Sequence, residues 1–158
     1  MPENLDKLLK LTHRLDFFDS MQDHERLEVL KRLNANIIKH PKGTKIVTPD
    51  MVDHNMYIVL SGLVSIQKNE QVNSALSVIK PGNFFGEISF ITKSSSQVSV
   101  VANEDTIVLS MNNKELGLIK GTIRDKIKDK IIFCLAKKLR NMNDMVQKMD
   151  EEYHSEVE

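Results

Sequence analysis

The spacing of apolar residues changes near Ala35, and that change limits the folds open to this sequence. Before it, leucines recur at helical spacing; after it, short β-prone runs alternate with Gly and Pro. Ile37-Ile38 and the segment from Pro41 to Val47 read as short strands separated by a turn at Gly43. Met56 to Ile66 is the clearest strand pair, broken at Ser61-Gly62, and Asn69-Glu70 marks another turn. Ala75 to Ile79, Val98 to Val100 and Thr106 to Val108 complete the set. Short strands this evenly spaced predict an all-β sandwich or jelly roll.

Helices are expected on either side. Residues 4–16 carry Leu5, Leu8, Leu9, Leu11 and Leu15 at helical spacing. Phe17-Phe18-Asp19-Ser20 interrupts them, with Asp19 or Ser20 placed to cap a second helix over about Met21 to Leu33. Beyond Met111 the spectrum is helical again: a short segment from Lys114 to Ile119, a break at Gly121, then a long helix from Thr122 to Tyr153. Its Ile123, Ile127 and Ile131 are expected to pack on the body. Its later part has a heptad seam, with Ile132, Leu139, Val146 and Tyr153 at a and Leu135, Met142 and Met149 at d. β-Branched residues at two a positions favour two parallel strands, and the flanking positions hold no charge code for another partner. A homodimer through Ile132, Leu135, Leu139, Met142, Val146 and Met149 is therefore expected. The acidic end, Asp150 to Glu158, reads as a solvated, frayed tail. The expected segments are 1–34 (N-terminal helices), 35–112 (β-domain) and 113–158 (C-terminal helix and tail).

Composition narrows the function. A chain of 158 residues with 41% hydrophobic residues supports one ordinary core. Lys+Arg and Asp+Glu are both 22, so no net charge draws the protein to nucleic acid or membrane. Met1 to Lys10 lacks the apolar core of a signal peptide, and no run approaches a membrane span of about 20 residues. The single cysteine, Cys134, suits a reducing cytoplasm. His13, His24, His40, His54 and His154 are scattered without metal-ligand spacing, and no nucleophile–base grouping is readable. The expectation is no enzyme and no metal.

The most informative stretch is Val78 to Val101, VIKPGNFFGEISFITKSSSQVSVV. Gly86 lets the backbone approach a bound group, and the turn that follows opens a short helix whose free N–H groups suit an anion. Lys80-Pro81-Gly82-Asn83-Phe84 followed by Phe85-Gly86-Glu87-Ile88-Ser89-Phe90 resembles the phosphate-binding cassette of the cyclic nucleotide-binding domain family, the type found in catabolite activators and protein kinase A regulatory subunits. Tyr57 to Val64 resembles the family's central hairpin, and Gly43, Gly62 and Gly82 fall where its structural glycines fall. The likeness covers roughly residues 15 to 145, including helices before the barrel. It departs at Thr48-Pro49-Asp50, where a Glu-Gly pair is more usual. It implies a mainly β fold with flanking α-helices: a double-stranded β-helix (jelly-roll) barrel with N-terminal helices and a long C-terminal dimerisation helix.

The resemblance also implies a pocket in which the cassette holds a cyclic phosphate and the Glu bonds the ribose 2′-hydroxyl. Family members place an Arg nine residues after that Glu, which here is Ser96, or Gln97 with a one-residue slip. Neither is cationic, and Lys93 sits near the loop tip. The expected pocket residues are Phe85, Gly86, Glu87, Ile88, Ser89, Ser96, Gln97, Val98 and Ser99, with Asn141 and Asn143 from the long helix near the base. Lys137, Lys138 and Arg140 read as a solvated face rather than a DNA contact. Two readings stay open: a degenerate site in a homodimeric adaptor that serves an unidentified signalling protein, with no cofactor, or a working cyclic nucleotide (cAMP or cGMP) sensor that signals through its C-terminal helix.

Overall fold

The architecture follows from one strand, β3 (Met56–Ser61), which is apolar on both faces. A computed structural model describes residues 5–67 and 75–157. In it Met56, Ile58 and Leu60 join a core shared with the helices, while Tyr57 and Val59 join a second core between two sheets. The period of two in a strand makes this division automatic. The first sheet has the order β1 (Ile37–His40), β8 (Thr106–Met111), β3, β6 (Phe84–Phe85); the second has β2 (Lys45–Val47), β7 (Ser99–Ala102), β4 (Val64–Gln67), β5 (Ala75–Ile79). Every pairing is antiparallel. The jelly-roll arrangement expected from the strand spacing is present as a sandwich, and no ladder joins the two sheets into a closed barrel among the described residues.

The strand pair broken at Ser61-Gly62 is β3 and β4. Gly62 has φ 100°, and a Cβ there would lie 2.4 Å from the Thr106 hydroxyl and 2.6 Å from the Asp105 carbonyl. Only glycine fits that crossing. β8 runs three residues past the expected Val108, because Leu109 and Met111 belong to the helix-side core. The turn expected at Asn69-Glu70 lies outside the described residues.

Helix α1 (Leu5–Thr12) and a 3-10 turn (Asp16–Phe18) lead into α2 (Asp23–Arg32). Asp19 and Ser20 do not cap α2: the cap is Gln22, in a reciprocal box with Glu25. The two phenylalanines that interrupt the pattern are fully buried, and the chain keeps turning after them, with the Met21 N–H donating to the Phe18 carbonyl at 3.0 Å, so α2 starts only at Asp23. Helix α3 (Glu87–Thr92) follows β6, α4 (Asn113–Gly117) follows β8, and α5 runs from Gly121 to Val157. Gly121 is thus the first helical residue rather than a break, and the acidic end is helical to Val157 rather than frayed. Ile123, Ile127 and Ile131 are buried against the body as expected, with Cys134 and Leu135 partly covered beside them.

Candidate ligand site

The site begins with β6, a two-residue strand that periodicity cannot detect. It adds to the free edge of β3, pairing Ile58 with Phe84 and Tyr57 with Phe85. Alternation sends Phe84 into the helix-side core and Phe85 between the sheets. There the Phe85 ring stacks on Tyr57, centroids 5.0 Å apart and planes 9° from parallel. Gly86 then turns the chain into α3 with φ 81°; a Cβ at this position would lie 2.7 Å from the Asn55 carbonyl oxygen. Phe90 anchors α3 from below, and the Asn113 amide donates to the Phe90 carbonyl at 2.9 Å.

Above this turn is a cavity of about 380 Å3. One wall is the cassette, Phe85 to Ser89, and a second is the loop from Ser94 to Val98. A third comprises Asp53, Asn55 and Tyr57, and Val47, Ile66 and Val100 form an apolar floor. The second and third walls are tied together by backbone: the Asp50 N–H donates to the Ser96 carbonyl at 2.8 Å, and the Ser96 N–H donates to Met51 at 3.3 Å. Asp53 is held inward by two donors, the Tyr57 hydroxyl and the Asn55 N–H. Burial, reinforced by the Asp53 carboxylate, pushes the Tyr57 phenol well above its ordinary range, so it remains a donor.

Of the residues expected at the site, Phe85, Gly86, Glu87, Ile88 and Ser89 line this cavity, as do Ser96, Gln97 and Val98. Ser99 does not: it is buried within β7. Asn141 and Asn143 are exposed on α5 and do not line it either. Ser96, one of the two residues expected where the family places its Arg, is 9% exposed, and its hydroxyl donates to the Val98 carbonyl at 2.8 Å, holding the loop. Sequence reading missed Asp53, Asn55 and Tyr57. Strand alternation could not have found them, because β3 begins only at Met56 and His54, between Asp53 and Asn55, is left-handed with φ 52°.

Lys138 is the other omission. Rather than facing solvent alone, it reaches from α5 to the cassette, with Nζ 3.1 Å from Glu87 Oε1 and 5.1 Å from the centre of the Phe84 ring. Glu87 is 14% exposed and Lys138 47%. Among the described residues, the ionisable side chains lining the cavity are Asp53, Tyr57 and Glu87, which include two carboxylates and no Lys, Arg or His. Among the described residues no group of three or more His, Cys, Asp or Glu could hold a metal ion.

This geometry can be set beside known proteins. The model of the cyclic nucleotide-binding domain matches residues 37–119, more than half of the chain. The chain belongs to the cyclic nucleotide-binding domain family. A cAMP-dependent protein kinase regulatory subunit of Candida albicans is 26% identical over 115 residues, covering 73% of this chain and 24% of that protein. The chain therefore spans about a quarter of the length of that curated relative. Among solved structures, the catabolite activator protein of Thermus thermophilus superposes with a TM-score of 0.70 at 21% identity, over 85% of this chain and 63% of that one. The regulatory subunit of a cAMP-independent protein kinase A from Trypanosoma cruzi, bound to guanosine, superposes with a TM-score of 0.60 at 17% identity, over 78% and 44%. At these identities the likeness to both structures is one of fold. No described helix is long and apolar enough to cross a membrane.

Proposed function

We propose that this cyclic nucleotide-binding domain is a non-enzymatic, cytoplasmic regulatory module with a degenerate phosphate site, acting as a homodimeric adaptor for a signalling protein. The observation that carries this reading is the charge of the cavity lining, two carboxylates and no cation among the described residues. A cyclic phosphate entering there would meet neutral donors at most, and these bond about half as strongly as charged ones. Loss of one charge-assisted bond, ~1.5–3 kcal/mol, weakens binding by roughly one to two orders of magnitude.

The output route is α5. Its body-facing stripe continues past the body as Met142, Val146 and Met149, with Ile132 and Leu139 to one side of it, and all five are between 59% and 65% exposed. Their heptad spacing makes the stripe self-complementary, which favours a second copy of the chain over an unrelated partner. Leu135 contributes less to such a seam, because it is half-buried on its own body. The division into 1–34, 35–112 and 113–158 then corresponds to packing helices, sensing body and output helix. Through Lys138, cavity and output helix share a contact, so a ligand on the Glu87 carboxylate bears on the hold of α5.

Calorimetry of the full chain with cAMP and cGMP tests the degenerate site. The expected result is no binding at micromolar concentration; micromolar binding abolished by Glu87→Ala would establish instead a working cyclic nucleotide sensor. That second reading is favoured by the intact cradle, since Gly86 to Ser89 do line the cavity. Guanosine in the trypanosome structure supports a third state of affairs for this fold, a ligand without phosphate.

A further inference from the structure

We infer that the cavity takes an uncharged nucleoside in preference to any cyclic phosphate, with the sugar hydroxyls on Asp53 and Glu87 and the base against the apolar floor. This deepens the reading of a cradle without its cation and rests on it. The charge inventory disfavours an anion first. Asp53 and Glu87 line the cavity, and a carboxylate accepts hydrogen bonds but cannot donate one to a phosphate oxygen. Nor is the site built for a cation. Glu87 already has the Lys138 ammonium at 3.1 Å, and Asp53 already accepts from Tyr57 and Asn55. Each carboxylate has two oxygens and about four acceptor sites, so both can still accept from neutral hydroxyls.

The rest of the lining fits the same class. Hydroxyl-to-carboxylate bonds are short and charge-assisted, and a ribose diol offers two such donors side by side. Ser89, Ser94, Ser95 and Gln97 each donate and accept, which suits ring nitrogens and exocyclic groups of a base. Val47, Ile66, Val98 and Val100 supply the apolar surface that a flat heterocycle buries. The cavity, about 380 Å3, lies within the range that holds small molecules of this size.

The test is calorimetry of the full chain with adenosine, guanosine and their 3′,5′-cyclic monophosphates at one ionic strength. A nucleoside is expected to bind at least tenfold more tightly than its cyclic monophosphate. Glu87→Gln and, separately, Asp53→Asn should each weaken the nucleoside several-fold, with thermal unfolding used to confirm that at least one variant folds. Gln97→Arg, a change at an exposed rim position, should reverse the order by strengthening the cyclic monophosphate at least tenfold. Binding of neither ligand class would overturn the inference and leave the ligand-independent adaptor standing. Tighter binding of a cyclic monophosphate to the unmodified chain would overturn the inference and the degenerate site together.

Discussion

The two parts of α5 are comparably rich in apolar residues, although the first is basic and the second acidic, and they have opposite surroundings. From Gly121 to Lys138 the helix is fastened to the body at every turn. Ile123, Ile127 and Ile131 enter the core, while Lys126 reaches Glu25 at 2.7 Å, Lys130 reaches Asp19 at 3.0 Å and Lys138 reaches Glu87. Beyond Lys138 the side-chain bonds seen run within the helix, as from Gln147 to Glu151 and from His154 to Asp150. At roughly 100° per residue, Met142, Val146, Met149 and Tyr153 lie within about 60° of the Ile131 direction. One apolar stripe therefore serves both parts, and the difference is what it meets. The lesson is that residue type alone does not say whether a stripe is core or interface; the length of the body beside it does.

The largest effect should come from the packed part. Ile127 is fully buried, so Ile127→Ala is expected to cost about 2–5 kcal/mol in urea unfolding. Met149→Ala, on the same stripe but 65% exposed, should change the stability of the isolated protomer by less than about 0.5 kcal/mol. Equal losses at the two positions would erase the contrast between the parts.

Next is the bare part itself. Val146→Glu places a charge within the exposed part of the proposed seam, and sedimentation equilibrium should show self-association weakened at least tenfold, ~1.4 kcal/mol or more. The protomer's circular dichroism should be unchanged at concentrations where it is alone. A parent chain that stays monomeric at all concentrations would leave the stripe for a different partner.

A smaller effect, with a pH signature, is expected where α5 meets α2. The Gln22 N–H and the Lys126 ammonium hold the Glu25 carboxyl below its ordinary range against the opposing effect of burial. A depressed carboxyl contributes stability that is present above its unfolded pKa and lost as pH falls through the folded one. Glu25→Gln keeps the capping geometry but loses the charge-assisted bond, so a cost of about 1 kcal/mol is expected near neutrality. Thermal melts of the two proteins should converge as pH drops below 4.5, the value from which Glu25 is lowered. A gap that persists in acid would assign the effect to packing.

Much of this organisation was legible because it rests on local constraints. Gly62 and Gly86 are forced by backbone crossings, and their neighbours in sequence placed a hairpin and the cassette correctly. The places of the other strands follow similarly from alternation, though not all their ends, and β6 is too short to have a period. The wall formed by Asp53, Asn55 and Tyr57 was not legible. It reaches the cavity only because backbone bonds from Asp50 and Met51 to Ser96 fold its loop over the sheet edge. Asn141 and Asn143 show the converse error: proximity was inferred from level along the helix, but their azimuth leaves them in solvent. Lys138 was misjudged for a related reason, since a lysine on a helix face is charged surface until another element comes within reach of its long stem.

Lys138 marks the boundary between the two parts of α5, and its removal should give the smallest but most diagnostic change. The pair is partly exposed, with Lys138 47% accessible, so Lys138→Ala should cost only about 0.2–1 kcal/mol of global stability. Its local effect should be larger. Without the bond to Glu87, only half-buried Cys134 and Leu135 remain to fasten the helix beyond Ile131. Amide exchange is then expected to rise several-fold across about residues 135–142 and to stay unchanged around Ile123 and Ile127, where core packing sets protection. Glu87→Gln should reproduce that pattern if the contact is the fastening. Exchange that rises evenly along α5 would mean that the helix responds as one body, and the cavity would then have no privileged hold on the bare part.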